Sequence, residues 1–278
     1  VLRRLKKDAI ANDALMPTYR ARLKDIEAIV RREGIVTMPE REAVIRVATE
    51  AESTAIPAPH LSPPRLIGNT GEPAEFVLPT GNPNAPPGTT MDDFDFDAIT
   101  WSLTAHEARP GHELQFARMI EGGVSIARAV FAFNSANVEG WALYAEAIVK
   151  QHLPLEGQVG TLQMRMMREA RAFLDPMLNF GTIEPAAVQA FLMKEVGLSE
   201  PMANQEVDRY SFKAPGQATA YFYGYEKQLA LRGRVELALG DRFDARSYHE
   251  FVLDQGLLPP DLLEQAVMRQ YVPSRLKP

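Results

Sequence analysis

Two short segments of the chain combine histidine and glutamate at spacings suited to holding a metal ion. The first, from His106 to His112, reads His-Glu-Ala-Arg-Pro-Gly-His, and the second contains Glu139. Zinc hydrolases bind the ion through a few imidazole and carboxylate groups, leave one position for water, and use another carboxylate to take that water's proton. We therefore predict a Zn²⁺ site with His106, His112 and Glu139 as ligands and Glu107 as general base.

The six-residue spacing between the two histidines requires a distorted helix. The common zinc motif separates its histidines by four residues, which places both on one helical face. Six steps along a regular α-helix rotate the side chain by about 240°, so the two imidazoles would face different sides. Pro110 cannot donate a backbone hydrogen bond, and Gly111 accepts dihedral angles closed to other residues. We therefore predict a bulge or break there that returns His112 to the face of His106.

The same motif has a structural interpretation, in which these side chains form a satisfied cluster in the core. The chain has five histidines. A His-Glu pair with a second histidine five residues after the glutamate arises by chance in roughly one such chain in a hundred. Apolar stretches at 96–105 and 114–120 predict helices on both sides of the motif. Buried histidine and glutamate cost desolvation energy unless they are paired or coordinated, which favours the metal site over the cluster.

Three separated motifs resemble one bacterial family. They are His-Glu-x-x-Pro-Gly-His-x-Leu-Gln at 106–115, Glu-Gly-Trp-Ala-Leu-Tyr-x-Glu at 139–146, and Arg-Tyr at 209–210 followed by Pro-Gly-Gln-Ala at 215–218, Tyr221 and Gly224. From about residue 20 onward, the chain is similar to the family called domain of unknown function 885, which resembles the zincin-like metallopeptidases. The resemblance implies a mainly α, zincin-like metallopeptidase fold with the same three ligands and the same base.

The chain departs from the family pattern in two places. Many members carry a second histidine where this chain has Glu113, so no role is transferred to that position. Residues 175–179 read Asp-Pro-Met-Leu-Asn where members often have Asp-Thr-Gly-x-His, so no function of that histidine is carried over. Members are also commonly longer. We expect residues 1–278 to be a single catalytic region that forms the C-terminal part of a longer protein and contacts its N-terminal region.

A peptidase also needs a donor for the oxyanion of the tetrahedral intermediate, which a phenol can supply. Tyr221, Tyr223 and Tyr225 lie in a segment that predicts a helix through Leu239, where alternate positions cannot all face one side. Tyr221 matches the family motif and is the predicted catalytic phenol. Tyr223 and Tyr225 are its substitutes and are predicted to contact substrate.

Three other polar residues have alternative roles. Arg209 could bind a substrate carboxylate through a two-point contact or form a structural salt bridge. Glu146 lies two helical turns after Glu139, about 10 Å along the axis, so it could support the ligands but cannot join them; a surface charge is the favoured interpretation. His249 is predicted to pack on an amphipathic helix rather than to take part in catalysis.

The distribution of apolar residues predicts helices with one long interruption. Residues 1–33 have near-helical spacing and end at Gly34, and residues 125–152 form a second long helical region. Residues 54–92 are rich in proline and glycine and cannot be a regular helix. Within them, residues 74–78 could form a short strand whose open edge holds extended substrate near the metal. A packed surface loop is the alternative.

Composition excludes several classes of protein. With 46% hydrophobic and 24% charged residues, the chain can bury a large core. A net charge of −6 gives no electrostatic footprint for nucleic acid, and no apolar stretch approaches the ~20 residues needed to span a bilayer. The absence of cysteine excludes disulfides and thiolate ligands and fits a cytoplasmic or an exported, periplasmic location equally.

The function predicted from the sequence is that of a zinc-dependent peptidase, whose partner is a peptide substrate. It would hydrolyse peptide bonds through a metal-activated water, with Glu107 as base and Tyr221 beside the oxyanion. A di-iron carboxylate bundle would need two Glu-x-x-His units, and the sequence has none. A catalytically inactive metal- or peptide-binding protein of the same fold is the alternative, against which the presence of Glu107 argues.

Overall fold

Helices dominate the fold, as the sequence predicts. The computed structural model describes residues 1–81 and 91–277. The α-helices of this part are α1 (Leu2–Leu5), α2 (Asn12–Arg32), α3 (Glu50–Ala55), α4 (Asp97–Leu103), α5 (His112–Gly122), α6 (Ile126–Phe131), α7 (Ser135–Lys150), α8 (Leu155–Asn179), α9 (Pro185–Phe191), α10 (Glu200–Asp208), α11 (Thr219–Leu239), α12 (Ala245–Asp254), α13 (Pro260–Ala266) and α14 (Val272–Leu276).

Several helices continue into wider π-helical turns, in which the backbone hydrogen bond spans one more residue than in an α-helix. These turns are Thr104–Ala108, Leu192–Val196, Arg209–Lys213 and Val267–Tyr271, and a short 3₁₀ turn, Gly240–Arg242, follows α11. Two of the π-helical turns contain residues of the predicted site, His106 and Arg209.

A small sheet of three strands packs beside the helices. The strands are β1 (Val44–Val47), β2 (His60–Ser62) and β3 (Glu75–Leu78), in the spatial order β1-β3-β2. The central strand β3 pairs parallel with β1 and antiparallel with β2. Because β3 is paired on both sides, β1 and β2 are the two edge strands of the sheet.

The described residues of the segment at 54–92 include regular secondary structure. The segment holds the end of α3 and both β2 and β3, while Pro83, Pro86 and Pro87 lie outside the described residues. The predicted strand at 74–78 is present as β3. The expectation that it forms an open edge is wrong, because β1 and β2 pair with both of its sides.

Two predicted long helices are interrupted. The first 33 residues form α1 and α2, separated where the amide of Ile10 donates to the carbonyl of Asp95 and Ala9 bridges Phe96. The region at 125–152 is divided into α6 and α7, because the side chain of Asn134 accepts the amide of Asn137 and starts a new helix. Side-chain caps of this kind compete with helix continuation.

The core forms around two helix pairs that meet near the predicted site. Helix α7 packs along α11 with Trp141 and Tyr144 buried among apolar side chains, and α4 packs on α8 beside Phe96 and Met167. Among the helices of residues 1–81 and 91–277, none is both long and apolar enough to cross a membrane. The π-helical turn after α4 and the start of α5 fit between the two pairs, which brings both histidines of the motif into the interior.

Candidate metal centre

The chain breaks its helix between the two histidines, as the spacing requires. The π-helical turn Thr104–Ala108 carries His106, Arg109 is extended at φ −121° and ψ 137°, and α5 begins at His112. This break turns the second imidazole toward the first. The ring centroids of His106 and His112 lie 4.7 Å apart.

Gly111 is needed because the backbone passes too close for a side chain. A Cβ at this position would lie 1.9 Å from the carbonyl oxygen of His106 and 2.4 Å from that of Ala105. Its φ of −75° is combined with a ψ of −132°, outside the main regions that other residues adopt. Gly111 is thus distinguished by its dihedral angles, as the sequence predicts, and also by the close approach of the chain.

Helix α7 holds the break in place and supplies the third predicted ligand. The indole nitrogen of Trp141 donates a 3.0 Å hydrogen bond to the carbonyl oxygen of Pro110. Glu139 lies two residues earlier on the same helix, facing the two imidazoles. The motif at 139–146 thus serves both to fix the break and to place a carboxylate.

The three predicted ligands converge on one point. The Oε2 atom of Glu139 lies 3.4 Å from Nε2 of His106 and 3.3 Å from Nε2 of His112. His106, His112 and Glu139 each offer a ligand atom, and all three atoms lie within 4.8 Å of one another. A tetrahedral ion with bonds of about 2.0–2.1 Å separates its ligand atoms by roughly 3.3–3.4 Å. Two of the separations therefore match a tetrahedral zinc site.

The two ring nitrogens of His106 face different carboxylates, Nδ1 toward Glu146 and Nε2 toward Glu139. Nδ1 of His106 lies 2.7 Å from Oε1 of Glu146, and because a carboxylate only accepts, Nδ1 carries the proton. Nε2 of His106 then faces Oε2 of Glu139, where either a second proton or a metal ion can lie between the two atoms. Two electron-pair donors repel at this distance unless a proton or a metal ion lies between them.

The charges around the site are arranged for a cation. Burial alone would lower the pKa of His106, but interaction with Glu139 and Glu146 raises it to about 9. Burial would raise the pKa of Glu139, yet the two imidazoles hold it well below its ordinary value. Oε2 of Glu139 and Nδ1 of His112 are buried without a hydrogen-bond partner among the described residues. Of these two atoms, only Oε2 of Glu139 faces both imidazoles, where an ion would bind.

Glu146 is a buried partner of His106, so the favoured interpretation as a surface charge is wrong. Its side chain is 3% exposed, and its second oxygen accepts a 2.5 Å hydrogen bond from the hydroxyl of Ser102. Packing of α7 against the π-helical turn Thr104–Ala108 accounts for this position, because it turns the face carrying Glu139 inward over two full turns. A carboxylate behind a histidine ligand fixes the ring and increases its basicity.

Glu107 lies beside the three ligand atoms rather than among them. One of its oxygens is 4.0 Å from Nε2 of His106, and the other accepts a 2.9 Å hydrogen bond from the amide of Leu61. Leu61 belongs to β2, the edge strand of the small sheet. An edge strand therefore does border the site, but it comes from residues 60–62 instead of 74–78.

Tyr221 reaches the centre from α11. Its ring stacks over that of His106 at 6.3 Å between centroids and 14° between planes, and its hydroxyl lies 3.3 Å from Nη2 of Arg209. The guanidinium of Arg171 lies over the same ring at 4.8 Å. Burial and the charge of Glu139 raise the pKa of Tyr221, which keeps its phenol protonated at neutral pH.

Asp175 holds the turn that precedes Tyr221. Its two oxygens accept hydrogen bonds from the amides of Gly216 and Ala218, at 2.9 and 3.0 Å. Asn179, the residue at the position of the family histidine, donates to Asp175 at 2.8 Å. This segment therefore positions the Pro-Gly-Gln-Ala motif from behind.

The structure does not bring every predicted substrate contact to the site. Tyr223 is half exposed beside Lys227, and Tyr225 is buried in the core with Arg165 over its ring. Helical rotation turns Tyr223 away from the face that Tyr221 uses, whereas Tyr225 lies on the same face about one turn farther along the axis, where it packs in the core. Neither side chain lines the cleft beside the predicted ligands, and their contact with substrate stays a prediction.

His249 is packed in the core, as expected. Its Nδ1 lies 2.7 Å from the carbonyl oxygen of Ile35, and its Nε2 lies 2.7 Å from the hydroxyl of Tyr144. Burial lowers the pKa of His249 to about 4. Both ring nitrogens are thus occupied by structural partners.

A cleft of about 360 Å³ opens onto the centre. Its lining includes His106, Glu107, Arg209 and Tyr221, so four of the predicted residues face one space. Arg168 and Arg171 line the same cleft, although neither is predicted from the sequence. No spacing signal marks them, because they reach the site through the packing of α8 on α4.

Two solved structures share this fold. A protein described as "the putative lipoprotein from Colwellia psychrerythraea" is 24% identical with a TM-score of 0.80, covering 94% of this chain and 43% of its own. A "putative lipoprotein of unknown function from Shewanella oneidensis" is 21% identical with a TM-score of 0.82, covering 95% of this chain and 47% of its own. The present chain thus spans less than half the length of either protein.

Comparison with curated proteins gives no match. Residues 1–267 match the family described as "Bacterial protein of unknown function (DUF885)". This match extends over nearly the whole chain and includes all three motifs, so the chain belongs to the DUF885 family.

Proposed function

We propose that the protein is a zinc-dependent peptidase of zincin-like type. The observation that carries the proposal is the convergence of two imidazole nitrogens and one carboxylate oxygen, at 3.3 and 3.4 Å, beside the separate carboxylate of Glu107. Three nitrogen and oxygen ligands with an open position are typical of catalytic zinc, whereas structural zinc sites are usually closed by four protein ligands.

The donor set fits the ion on chemical grounds. Zinc bound by His106, His112 and Glu139 would polarise a substrate carbonyl and increase the acidity of a bound water. Glu146 supports this role by holding the proton of His106 on Nδ1, away from the ligand atom. The unpaired Oε2 of Glu139, which faces Nε2 of both imidazoles, is the atom an ion would satisfy.

Glu107 is suited to move a proton between water and the leaving group. The amide of Leu61 holds one carboxylate oxygen at 2.9 Å and leaves the other directed toward the metal ligands. In the proposed reaction Glu107 takes one proton from water as the water oxygen attacks the carbonyl carbon. The carbon–nitrogen bond then breaks, and Glu107 delivers that proton to the leaving amine.

Tyr221 and Arg209 are suited to bind the polar groups of the substrate. The phenol of Tyr221 stays protonated and can donate to an oxyanion, while Arg209 supports it from 3.3 Å. Arg209 also contacts Gln217 and lies 3.6 Å from Glu206. Its two-point contact with a substrate carboxylate would therefore require it to exchange one of these partners.

The two lipoprotein names favour the exported alternative for the whole protein. Export would place the zinc site outside the cytoplasm, where peptides from the surroundings are the available substrates. Fractionation of the native bacterium with an antibody against this chain would distinguish a periplasmic from a cytoplasmic location.

The decisive experiment combines zinc analysis with hydrolysis of a mixed peptide library by the parent protein and by Glu107→Gln. We expect one zinc per chain in both, cleavage by the parent, and a loss of activity of roughly 10²-fold or more in the variant. Glu156→Gln, a surface substitution at the start of α8, is the matched control.

Zinc binding without cleavage of any peptide would favour the catalytically inactive alternative. Cleavage that persists in Glu107→Gln would remove this residue from the role of base. Absence of zinc from the parent after refolding with excess metal would overturn the proposed function.

A further inference from the structure

Arg168 is a buried cation that lacks a full set of partners. Its side chain is 5% exposed, and it lines the cleft that also exposes His106 and Glu107. Its Nε and Nη1 atoms are buried without a hydrogen-bond partner in the part of the chain that the structure describes. Burying an arginine in this state is unfavourable, since each unpaired donor has lost its water.

The nearest carboxylate cannot satisfy Arg168. Glu146 lies 3.6 Å from Nη2, beyond hydrogen-bond distance, and its two oxygens already accept from His106 and Ser102. The neighbouring Arg171 differs in this respect, because Glu206 binds it through two hydrogen bonds of 2.6 and 2.7 Å. Arg171 thus has one edge of its guanidinium paired, whereas Arg168 has two buried donor nitrogens without a partner among the described residues.

We infer that Arg168 binds the C-terminal carboxylate of a peptide substrate, so that the enzyme acts as a carboxypeptidase. This inference rests on the proposed peptidase function and specifies its substrate class. Nη1, which has no partner, and Nη2, which lies 3.6 Å from Glu146, share one edge of the planar guanidinium. Such an edge matches a carboxylate through paired, charge-assisted hydrogen bonds. A peptide chain that ends on Arg168 would leave its free carboxylate close to the cleavage point.

The position of Arg168 sets how far the carboxylate lies from the reacting bond. Oε1 of Glu146 is 2.7 Å from His106 and 3.6 Å from Arg168, so one carboxylate oxygen separates the guanidinium from a predicted metal ligand. An extended residue spans about 3.3–3.6 Å. A carboxylate bound to Arg168 would therefore lie within a few residues of the scissile bond.

The surrounding surface adds a preference for the terminal side chain. Leu103, Met164, Met167 and Met202 line the same cleft as Arg168. An apolar side chain would be buried against these residues while its carboxylate pairs with the arginine. We expect peptides ending in leucine or methionine to be better substrates than those ending in aspartate.

The test compares one peptide as its free acid and as its C-terminal amide, which differ only in the terminal charge. The parent protein should favour the acid by roughly 100-fold in kcat/KM. Arg168→Gln should bring this ratio close to one, and Arg168→Lys should reduce it strongly, because lysine retains the charge but loses the paired geometry. Arg165→Gln removes an arginine from the same helix outside the cleft lining, so it should keep the full ratio.

A binding measurement separates this inference from the proposed function. N-acetyl-L-leucine and N-acetyl-L-leucinamide are titrated into the Glu107→Gln protein and its Arg168→Lys derivative, with calorimetry as the readout. Preference for the acid that disappears with Arg168→Lys supports the carboxylate site even if no peptide is cleaved. If Arg168→Gln fails to fold, the lysine variant alone decides the matter.

Two results would overturn the inference. Equal cleavage of acid and amide by the parent would show that the terminal carboxylate is not recognised, while leaving the peptidase function intact. An acid preference that Arg168→Lys leaves unchanged would assign recognition to another cation, such as Arg209.

Discussion

Gly140 and Gly224 touch backbone to backbone where α7 crosses α11. A Cβ on Gly140 would lie 2.5 Å from the carbonyl carbon of Gly224, and a Cβ on Gly224 would lie 1.9 Å from the carbonyl oxygen of Ala136. Glu139 directly precedes the first glycine, and Tyr221 lies about one turn before the second. The contact therefore sets the distance between a predicted ligand and the predicted oxyanion donor.

Replacing Gly224 by alanine should force the two helices apart. Because the new methyl group meets backbone that cannot rotate away, we expect the free energy of unfolding to fall by about 3 kcal/mol or more. Urea denaturation gives this value directly. Gly233→Ala on the same helix is the control: no atom lies within 4 Å of its added Cβ, so it should stabilise by up to about 1 kcal/mol. Similar effects of both substitutions would contradict the close crossing.

Each of the three predicted ligands should be needed for stoichiometric metal. His106→Ala, His112→Ala and Glu139→Ala each remove one of only three protein ligands, so zinc measured by plasma mass spectrometry should fall well below one per chain. His152→Ala should retain zinc, because that side chain lies near Glu33 and not at the centre. A ligand variant that keeps one zinc per chain would exclude that residue from the site.

Glu146→Gln should weaken zinc binding without abolishing it. The amide retains the size of the carboxylate but cannot provide the negative charge that fixes the proton on Nδ1 of His106. We expect the dissociation constant, measured by competition with a chelator, to rise about 10- to 100-fold. Glu169→Gln on exposed α8 surface is the charge-matched control and should bind zinc like the parent. An unchanged constant in Glu146→Gln would limit this carboxylate to packing.

The predicted ligands and the break between the histidines could be read from the sequence because these features are local. His106 and His112 are joined by only five residues, and Pro110-Gly111 can interrupt a helix whatever surrounds it. Glu139 was identified through its motif. The close approach of the chain at Gly111 was not predictable, since the atoms that exclude a side chain belong to a conformation the sequence leaves unspecified.

Contacts between distant segments could not be predicted in the same way. Glu107 is held by the amide of Leu61, 46 residues earlier, and any residue except proline could supply that amide. Arg168 reaches the cleft only after α8 packs on α4. Glu146 did have the helical register of Glu139 as a signal, but register alone cannot tell a buried face from an exposed one.

His249 links the stability of the fold to pH. The carbonyl of Ile35 requires a proton on Nδ1, so neutral His249 accepts the hydroxyl proton of Tyr144 at Nε2. The same hydroxyl accepts a 2.9 Å hydrogen bond from Arg232. A second proton, on Nε2 of His249, would face the hydroxyl of Tyr144, which already accepts a hydrogen bond from Arg232. It would also lie near the positive charge of that guanidinium. Together with burial, this arrangement explains why the pKa of His249 falls from 6.5 to about 4.

The sign of the pH effect follows from the lowered pKa. Between pH 6.5 and about 4 the unfolded chain binds a proton at His249 that the folded chain excludes, so stability is lost as pH falls through this range. The loss reaches about 2 kcal/mol by pH 5. Urea denaturation of the metal-free protein at pH 7.5 and 5.0 measures it against His249→Gln, which removes the titrating group. The parent should lose about 2 kcal/mol more than this variant, whereas His152→Gln should keep the parent's response. Equal losses in the parent and His249→Gln would show that other groups account for the whole acid sensitivity.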